Sequence, residues 1–294
     1  MTPPIVNHMP GIVLVTIAGL AVIVSDALIK YVSTHYNVIQ AVWTRNSFVL
    51  IMALLLSFIY RSRRPFYTRQ PVLQGIRGLI GLASSLLLYV ALVFMPLGDA
   101  ISILFAGPLV ILGLSRPILG EKVGIGAWAA VLTGFTGVLL VIKPGFNEFH
   151  WASLLAVATA GLWAFHQIIA RQLAATDDSV TTLTYMAIIG FAGMSLLVPF
   201  FWMPLSLGAW LLMACAGIVN ISAHWGIIKA IGLTPVSVLA PFHYSQIISA
   251  VLIGYFVFGD VPDRTAAVGI GAILLAGLVV TYRARLERRS LLAR

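Results

Sequence analysis

Apolar residues run along this chain in unbroken blocks separated by short polar stretches. They neither alternate as in a strand nor mark one stripe of a surface helix. Ten blocks can be drawn, at residues 10–30, 37–60, 72–94, 97–117, 123–142, 150–171, 180–202, 208–231, 235–258 and 264–283. Blocks of about 20 residues are long enough, as helices, to cross a hydrocarbon layer of about 30 Å. A transmembrane β-barrel would instead show weakly alternating strands of about ten residues. The run IMALLLSFIY at 51–60 does not alternate. The pattern predicts an all-α membrane protein with ten transmembrane helices. The first block is expected to stay as a helix: no Lys or Arg precedes it, it spans a bilayer, and no small-x-small cleavage site follows.

Composition sharpens this. Of the 294 residues 60% are hydrophobic and only 9% charged, whereas soluble domains carry roughly a quarter charged. The single cysteine, Cys215, lies within a predicted helix, so an intramolecular disulfide, a Cys-ligated zinc site and an iron–sulfur cluster are excluded. No cofactor is expected. The net charge of +9 would suit nucleic acid, but its placement argues against such a partner. With the amino terminus inside, one side collects Arg61, Arg63, Arg64, Arg69, Arg116, Lys122, Arg171, Lys229, Arg283, Arg285, Arg288, Arg289 and Arg294. The other side receives Lys30, Lys143 and Arg264. The positive-inside rule then puts both termini in the cytoplasm.

The chain also repeats itself. At a shift of 139 or 140, Pro96 falls on Pro235, Gly120-Glu121 on Gly259-Asp260, Gly137 on Gly277 and Lys143 on Arg283. The halves expected from this are residues 10–142 and 150–283, followed by a basic cytoplasmic tail at 284–294. Because each half holds an odd number of helices, the second is threaded upside down relative to the first. The charge pattern agrees: RSRRPFYTRQ after the second helix corresponds to the uncharged MPLSLGAW after the seventh. Inverted repeats of this kind are common in secondary transporters, which hold substrate near the midplane between the halves.

Several stretches resemble the ten-helix EamA-type members of the drug/metabolite transporter superfamily. They are SDALIKYVS (25–33), QAVWTRNSF (40–48), IRGLIGLASSLLLYVALVFMPLGDAISILFAGPLVIL (76–112) and LGEKVGIGAWAAVLTGFTGVLLVIKPG (119–145) in the first half. LAPFHYSQIISAVLIGYFVFGDVPD (239–263) and GIGAILLAGLVV (269–280) follow in the second. The resemblance covers nearly the whole chain. It implies a multi-pass transporter of the bacterial inner membrane with a central cavity lined by helices 1, 3, 4, 6, 8 and 9. The solutes it implies are amino acids, riboflavin, S-adenosylmethionine, metallophores or amphipathic drugs, moved inward or outward.

Ionisable residues at membrane depth cost at least about 2.5 kcal/mol and are functional candidates by default. At about 1.5 Å per residue from each helix midpoint, Asp26 stands roughly 9 Å and Arg45 roughly 6 Å toward the outer side. They are expected to meet as a carboxylate–guanidinium pair, which either fastens the first two helices together or leaves Asp26 to bind a substrate ammonium or a coupling proton. The repeat maps Asp26 onto His166 and Arg45 onto Tyr185, toward the inner side. His224, the counterpart of Ser84, and His243 are expected at a similar inner depth. Without a carboxylate or thiolate beside them the three histidines are read as core or proton-carrying groups, not as a metal site.

Helical spacing completes the candidate cavity. Trp163, His166 and Gln167 share one face, Asn220 and His224 another, and His243 and Gln246 a third; Ser84, Ser85, Tyr89, Ser102, Phe105 and Tyr244 extend the wall. Aromatic and neutral hydrogen-bonding groups suit a planar or zwitterionic organic solute. Trp151, Trp202 and Trp210 at outer helix ends read as interface anchors. TGFTG (133–137) and GIGAILLAG (269–277) permit close helix approach, for packing or for a homodimer contact. Arg77 is expected to snorkel at the inner end of its helix, Asp177-Asp178 to form a solvated loop or an acidic cation site, and Pro108, Pro235 and Pro241 to free backbone carbonyls. No G-x-x-x-x-G-K-[ST], HExxH or nucleophile arrangement is present, so the expected function is transport, not enzymatic catalysis. A channel would need a charged ring or carbonyl filter, and neither is visible.

Overall fold

A computed structural model of the chain describes residues 8–59, 66–107, 109–110, 125–143, 150–173, 176–234, 239 and 242–292. The basic loop at 61–64, Arg116, Lys122, Gly120-Glu121 and Pro108, Pro235 and Pro241 lie outside these residues. The helices are α1 (Met9–Val32), α2 (Val38–Ile59), α3 (Pro71–Phe94), α4 (Leu97–Leu104), α5 (Ile125–Ile142), α6 (Ala152–Leu173), α7 (Ser179–Leu197), α8 (Leu207–Leu233), α9 (Ser245–Ile253) and α10 (Arg264–Leu292). Regular structure among the described residues is all helical. Six helices, α1, α2, α3, α6, α7 and α8, are long and apolar enough to cross a membrane by themselves.

Residue size sorts from inside to outside. Alanines Ala41, Ala91, Ala100, Ala152, Ala216 and Ala250 have no exposed surface between the helices, while Phe58 is 84% exposed and Phe200, Phe256 and Leu207 point outward. Small residues inside let backbones approach, and large apolar ones outside meet lipid.

The packing repeats as the sequence does. Helix α1 lies along α8, and its equivalent α6 lies along α3, the equivalent of α8. Likewise α2 meets α8 while α7 meets α3, and α1 meets α9 while α6 meets α4. Three helices pack on their own counterparts: α2 on α7, α4 on α9 and α5 on α10. With five helices in each half this mirrored packing is the architecture of two inverted five-helix repeats.

Glycines set the α5–α10 seam. A Cβ on Gly137 would stand 2.6 Å from the Gly269 carbonyl oxygen, and a Cβ on Gly269 2.5 Å from that of Gly137. The two glycine-rich stretches are thus occupied by one another within the chain. Each end of the bundle is also stapled across the halves. On the face carrying the α1–α2 turn, Gln40 donates to the Met203 carbonyl at 2.6 Å and accepts from its amide at 3.2 Å, and Ser206 N–H donates to the Tyr36 hydroxyl at 3.1 Å. On the face carrying the α2–α3 loop, Asp177 accepts from the Thr68 hydroxyl, from Gln74 at 2.8 Å and from the Arg69 amide at 3.2 Å. Asp177 is therefore a loop clamp and not a solvated acid. Partial burial opposes its charge, but the Thr68, Gln74 and Arg69 donors outweigh that and hold its carboxyl below the usual range.

Two expected spans differ in detail. Helix α4 reaches only Leu104 before a turn at Phe105-Ala106, and helical residues in the ninth span are broken by a turn at Tyr244. The tenth helix continues past the expected end at 283 to Leu292, so most of the expected tail is helical.

Candidate functional site

Asp26 on α1, Arg45 on α2 and Tyr89 on α3 are all buried and meet at one level. The Tyr89 hydroxyl donates to Asp26 Oδ1 at 2.8 Å and accepts from Arg45 Nη1. The guanidinium also sits 4.8 Å above the Tyr89 ring centroid, and its Nη2 donates to Asn46 Oδ1 at 2.9 Å. The expected direct pair is therefore corrected: a phenol stands between the two charges, because α3 enters the gap between α1 and α2. Arg45 Nε and the neighbouring Ser25 Oγ are buried without hydrogen-bond partners among the described residues.

Helices α4 and α9 break at equivalent points. Phe105 and Tyr244 correspond at a shift of 139, and their rings touch at a centroid distance of 5.5 Å. Around the α4 break, Ala106 N–H bonds the Ile103 carbonyl at 3.0 Å, one residue short of the helical pattern, and Pro108 has no N–H to offer Leu104. The carbonyls of Ser102 and Leu104 thus lose their usual i+4 donors. At the other break Ile247 N–H bonds the Tyr244 carbonyl, again i to i−3, at 3.1 Å. Ser102 itself is buried and donates to the Gly98 carbonyl at 2.6 Å. The Tyr244 ring lies where a Cβ on Gly277 of α10 would stand, so that glycine is needed for the close approach.

The other candidates separate into three groups. Half-buried Trp163 lies against Gly107, and His166 lies against Gly81 of α3, 3.1 Å from where its Cβ would stand; Gln167 points outward and is exposed. His224 Nδ1 is 2.9 Å from the Asn220 carbonyl. His243 Nδ1 is 3.5 Å from Gln246 Nε2, and Gln246 packs on Gly19 of α1. Among the described residues no three metal-ligating side chains converge. Ser84 is committed to α6: it donates to the Thr159 carbonyl at 3.3 Å while Thr159 donates to the Ser84 carbonyl at 3.4 Å. Ser85 is half-buried beside it. Tyr185 donates to the Phe66 carbonyl at 3.0 Å and so ties α7 to the α2–α3 loop, where its repeat counterpart Arg45 points into the bundle.

The model of the EamA-like transporter family matches residues 9–143 and again 150–282. The chain belongs to the EamA-like transporter family. A riboflavin transporter of Vibrio cholerae is 28% identical over 94% of this chain and 95% of its own length. An S-adenosylmethionine uptake transporter of Rickettsia prowazekii is 24% identical, covering 96% of each chain. A pseudopaline exporter of Pseudomonas aeruginosa is 22% identical over 94% of this chain and 96% of that one. A crystal structure covering 95% of this chain and 99% of its own superposes with a TM-score of 0.65 at 19% identity, which establishes the shared fold. The protein is a multi-pass membrane transporter, not an enzyme.

Two features of this EamA-like chain were not anticipated from its sequence. Lys30, expected near water, instead pairs with Asp260 at 3.0 Å, donates to the Met95 carbonyl at 2.8 Å and sits 4.9 Å over the Phe258 ring. Asp260 is delivered there by a π-helical turn, Gly254–Phe258, closed by Gly259 at φ 71°, a left-handed cap that glycine adopts without strain. Beside this pair lies a cavity of about 220 Å³ whose polar lining is Asp99, Lys143, His150, Ser153 and Asp263. Lys143 pairs with Asp263, which also caps α10 through the Ala266 amide at 2.8 Å. That amide, Lys143 and Thr265 hold the Asp263 carboxyl well below the usual range. Arg77, expected to snorkel, is instead buried.

Proposed function

We propose that this EamA-like transporter is a secondary active carrier of a small planar or zwitterionic organic metabolite across the bacterial inner membrane. The two repeats rock about the paired breaks in α4 and α9, giving alternating access with both termini in the cytoplasm. The observation that carries this reading is the Phe105–Tyr244 contact between broken helices at equivalent points of inverted repeats. Broken helices near the repeat interface mark binding sites in many transporters, since their freed carbonyls are satisfied by a solute or coupling ion. The Asp26–Tyr89–Arg45 cluster lies toward one face and His166, His224 and Gln246 contribute polar groups along the same interior, with a proton as the candidate coupling ion. The named relatives support a solute of the size of riboflavin or S-adenosylmethionine.

The test is reconstitution into liposomes with amino acids, riboflavin and S-adenosylmethionine, with and without an imposed pH gradient. Counterflow of at least one of them is expected, accelerated by the gradient. Counterflow indifferent to the gradient removes proton coupling, and no movement of any organic solute removes the reading.

A further inference from the structure

We infer that the solute carries an anionic group, a carboxylate or a phosphate, and that Arg77 on α3 binds it beside the His166 imidazole of α6. This deepens the transport reading above and rests on it.

Arg77 lies six residues into α3, about 9 Å along the helix at its usual rise. It is only 8% exposed, so its charge is held inside the bundle. A snorkelling arginine keeps its head in water while its stem lies on apolar surface; here the residue as a whole is buried. Its Nε is buried with no hydrogen-bond partner, and no carboxylate among the described residues stands within 4.0 Å of it. A buried cation left in this way is strongly unfavourable unless something else neutralises it.

The surroundings add an unpartnered polar group. One turn on from Arg77, Gly81 leaves the space that the His166 ring fills, which brings the α6 imidazole onto the Arg77 side of α3. His166 Nε2 is also buried without a partner. Two described carboxylates meet α3 and both are engaged, Asp26 by Tyr89 and Asp177 by Gln74, one turn before Arg77. On the other flank Ile189 fills the space over Gly78, giving the arginine an apolar wall that excludes water. A guanidinium is a planar fork of donors that matches a carboxylate or a phosphate, and the match is strongest where water is absent. An anionic group on the solute would supply the missing counter-charge during its passage.

The test measures ligand-induced thermostabilisation of the full chain in detergent with two matched probe pairs. Flavin mononucleotide and riboflavin differ by a phosphate; phenylalanine and phenylalaninamide differ by a carboxylate charge. The anionic member of at least one pair is expected to bind about tenfold or more tightly than its neutral-ended partner. The pair that responds tells phosphate from carboxylate. Arg77→Gln should bring the ratio close to one, and Arg77→Lys should keep part of it, since an ammonium retains the charge without the fork. Arg77→Gln removes an uncompensated cation, so the variant is expected to fold. Equal affinities within both pairs, a ratio unmoved by Arg77→Gln, or no binding of either anionic probe overturns the proposal. Liposome counterflow run in parallel separates the two readings. Riboflavin counterflow without any anion preference leaves the transporter and removes the anion site; anion binding that Arg77→Gln abolishes, without counterflow of any solute, does the reverse.

Discussion

Replacing Tyr89 by phenylalanine removes one oxygen atom and keeps the ring over which Arg45 stacks. Two hydrogen bonds go with it, one to a carboxylate and one from a guanidinium, both buried. Hydrogen bonds to charged groups contribute about 1.5–3 kcal/mol each, so the gross loss is roughly 3–6 kcal/mol. Part of it returns by relaxation. The charges sit on either side of a single oxygen, at most about 5 Å apart, and side-chain shifts of about 1–2 Å would close them into a direct pair. The expected net cost is therefore about 2–4 kcal/mol, smaller than for Asp26→Asn, which leaves the guanidinium without its counter-charge. Denaturation in micelles followed by tryptophan fluorescence measures it. The double change Asp26→Asn with Arg45→Gln should be less damaging than Asp26→Asn alone, with a coupling of about 1 kcal/mol or more in the cycle. A Tyr89→Phe protein within about 0.5 kcal/mol of the parent would refute the bridging role of the hydroxyl.

Three further outcomes follow from contacts elsewhere. Gly137→Ala and Gly269→Ala each drive a methyl into the facing backbone, and each should lower stability by about 1–3 kcal/mol in the same assay; unchanged midpoints would count against the α5–α10 seam. Lys30→Gln should destabilise the protein, and exchanging the charges as Lys30→Asp with Asp260→Lys should recover at least part of the loss. Failure of the exchange to recover anything would make the Met95 carbonyl, not the ion pair, the important partner. Asp177 has a folded-state carboxyl below its unfolded value, so its stabilising contribution is complete above the unfolded value of about 3.9 and is lost as pH falls through the lower folded value. Hydrogen exchange at the Arg69 amide, corrected for intrinsic rate, should accelerate over that acid window in the parent and already be fast at neutral pH in Asp177→Ala; protection independent of pH would oppose the clamp.

The fold was legible because its determinants are coarse. Apolar blocks of bilayer length set the helices, and Pro96/Pro235 and Gly137/Gly277 marked the repeat. Depth counting also brought Asp26 and Arg45 to one level. Applied to the helix at 72–94, the same count puts Tyr89 about 9 Å toward the same face, so the bridging phenol was within reach of that reasoning. Lys30 and Asp260 were not: they are 230 residues apart, and no periodicity links a helix end to a distant turn. Asp177 likewise owes its partners to how two loops cross, which hydropathy does not encode. Tyr185 shows the limit of the repeat, since an equivalent backbone position does not force an equivalent side-chain direction.

The self-pairing of α2 with α7, α4 with α9 and α5 with α10 makes the seam between the halves behave as an isologous dimer interface does. Each half offers the surface that the other half needs. Divergence of the two halves then becomes the source of polarity in an otherwise two-fold frame. A carboxylate bound by neutral donors staples one end, while the other adds lysine–aspartate pairs to its neutral amide and phenol contacts, so the two closures differ in their response to salt.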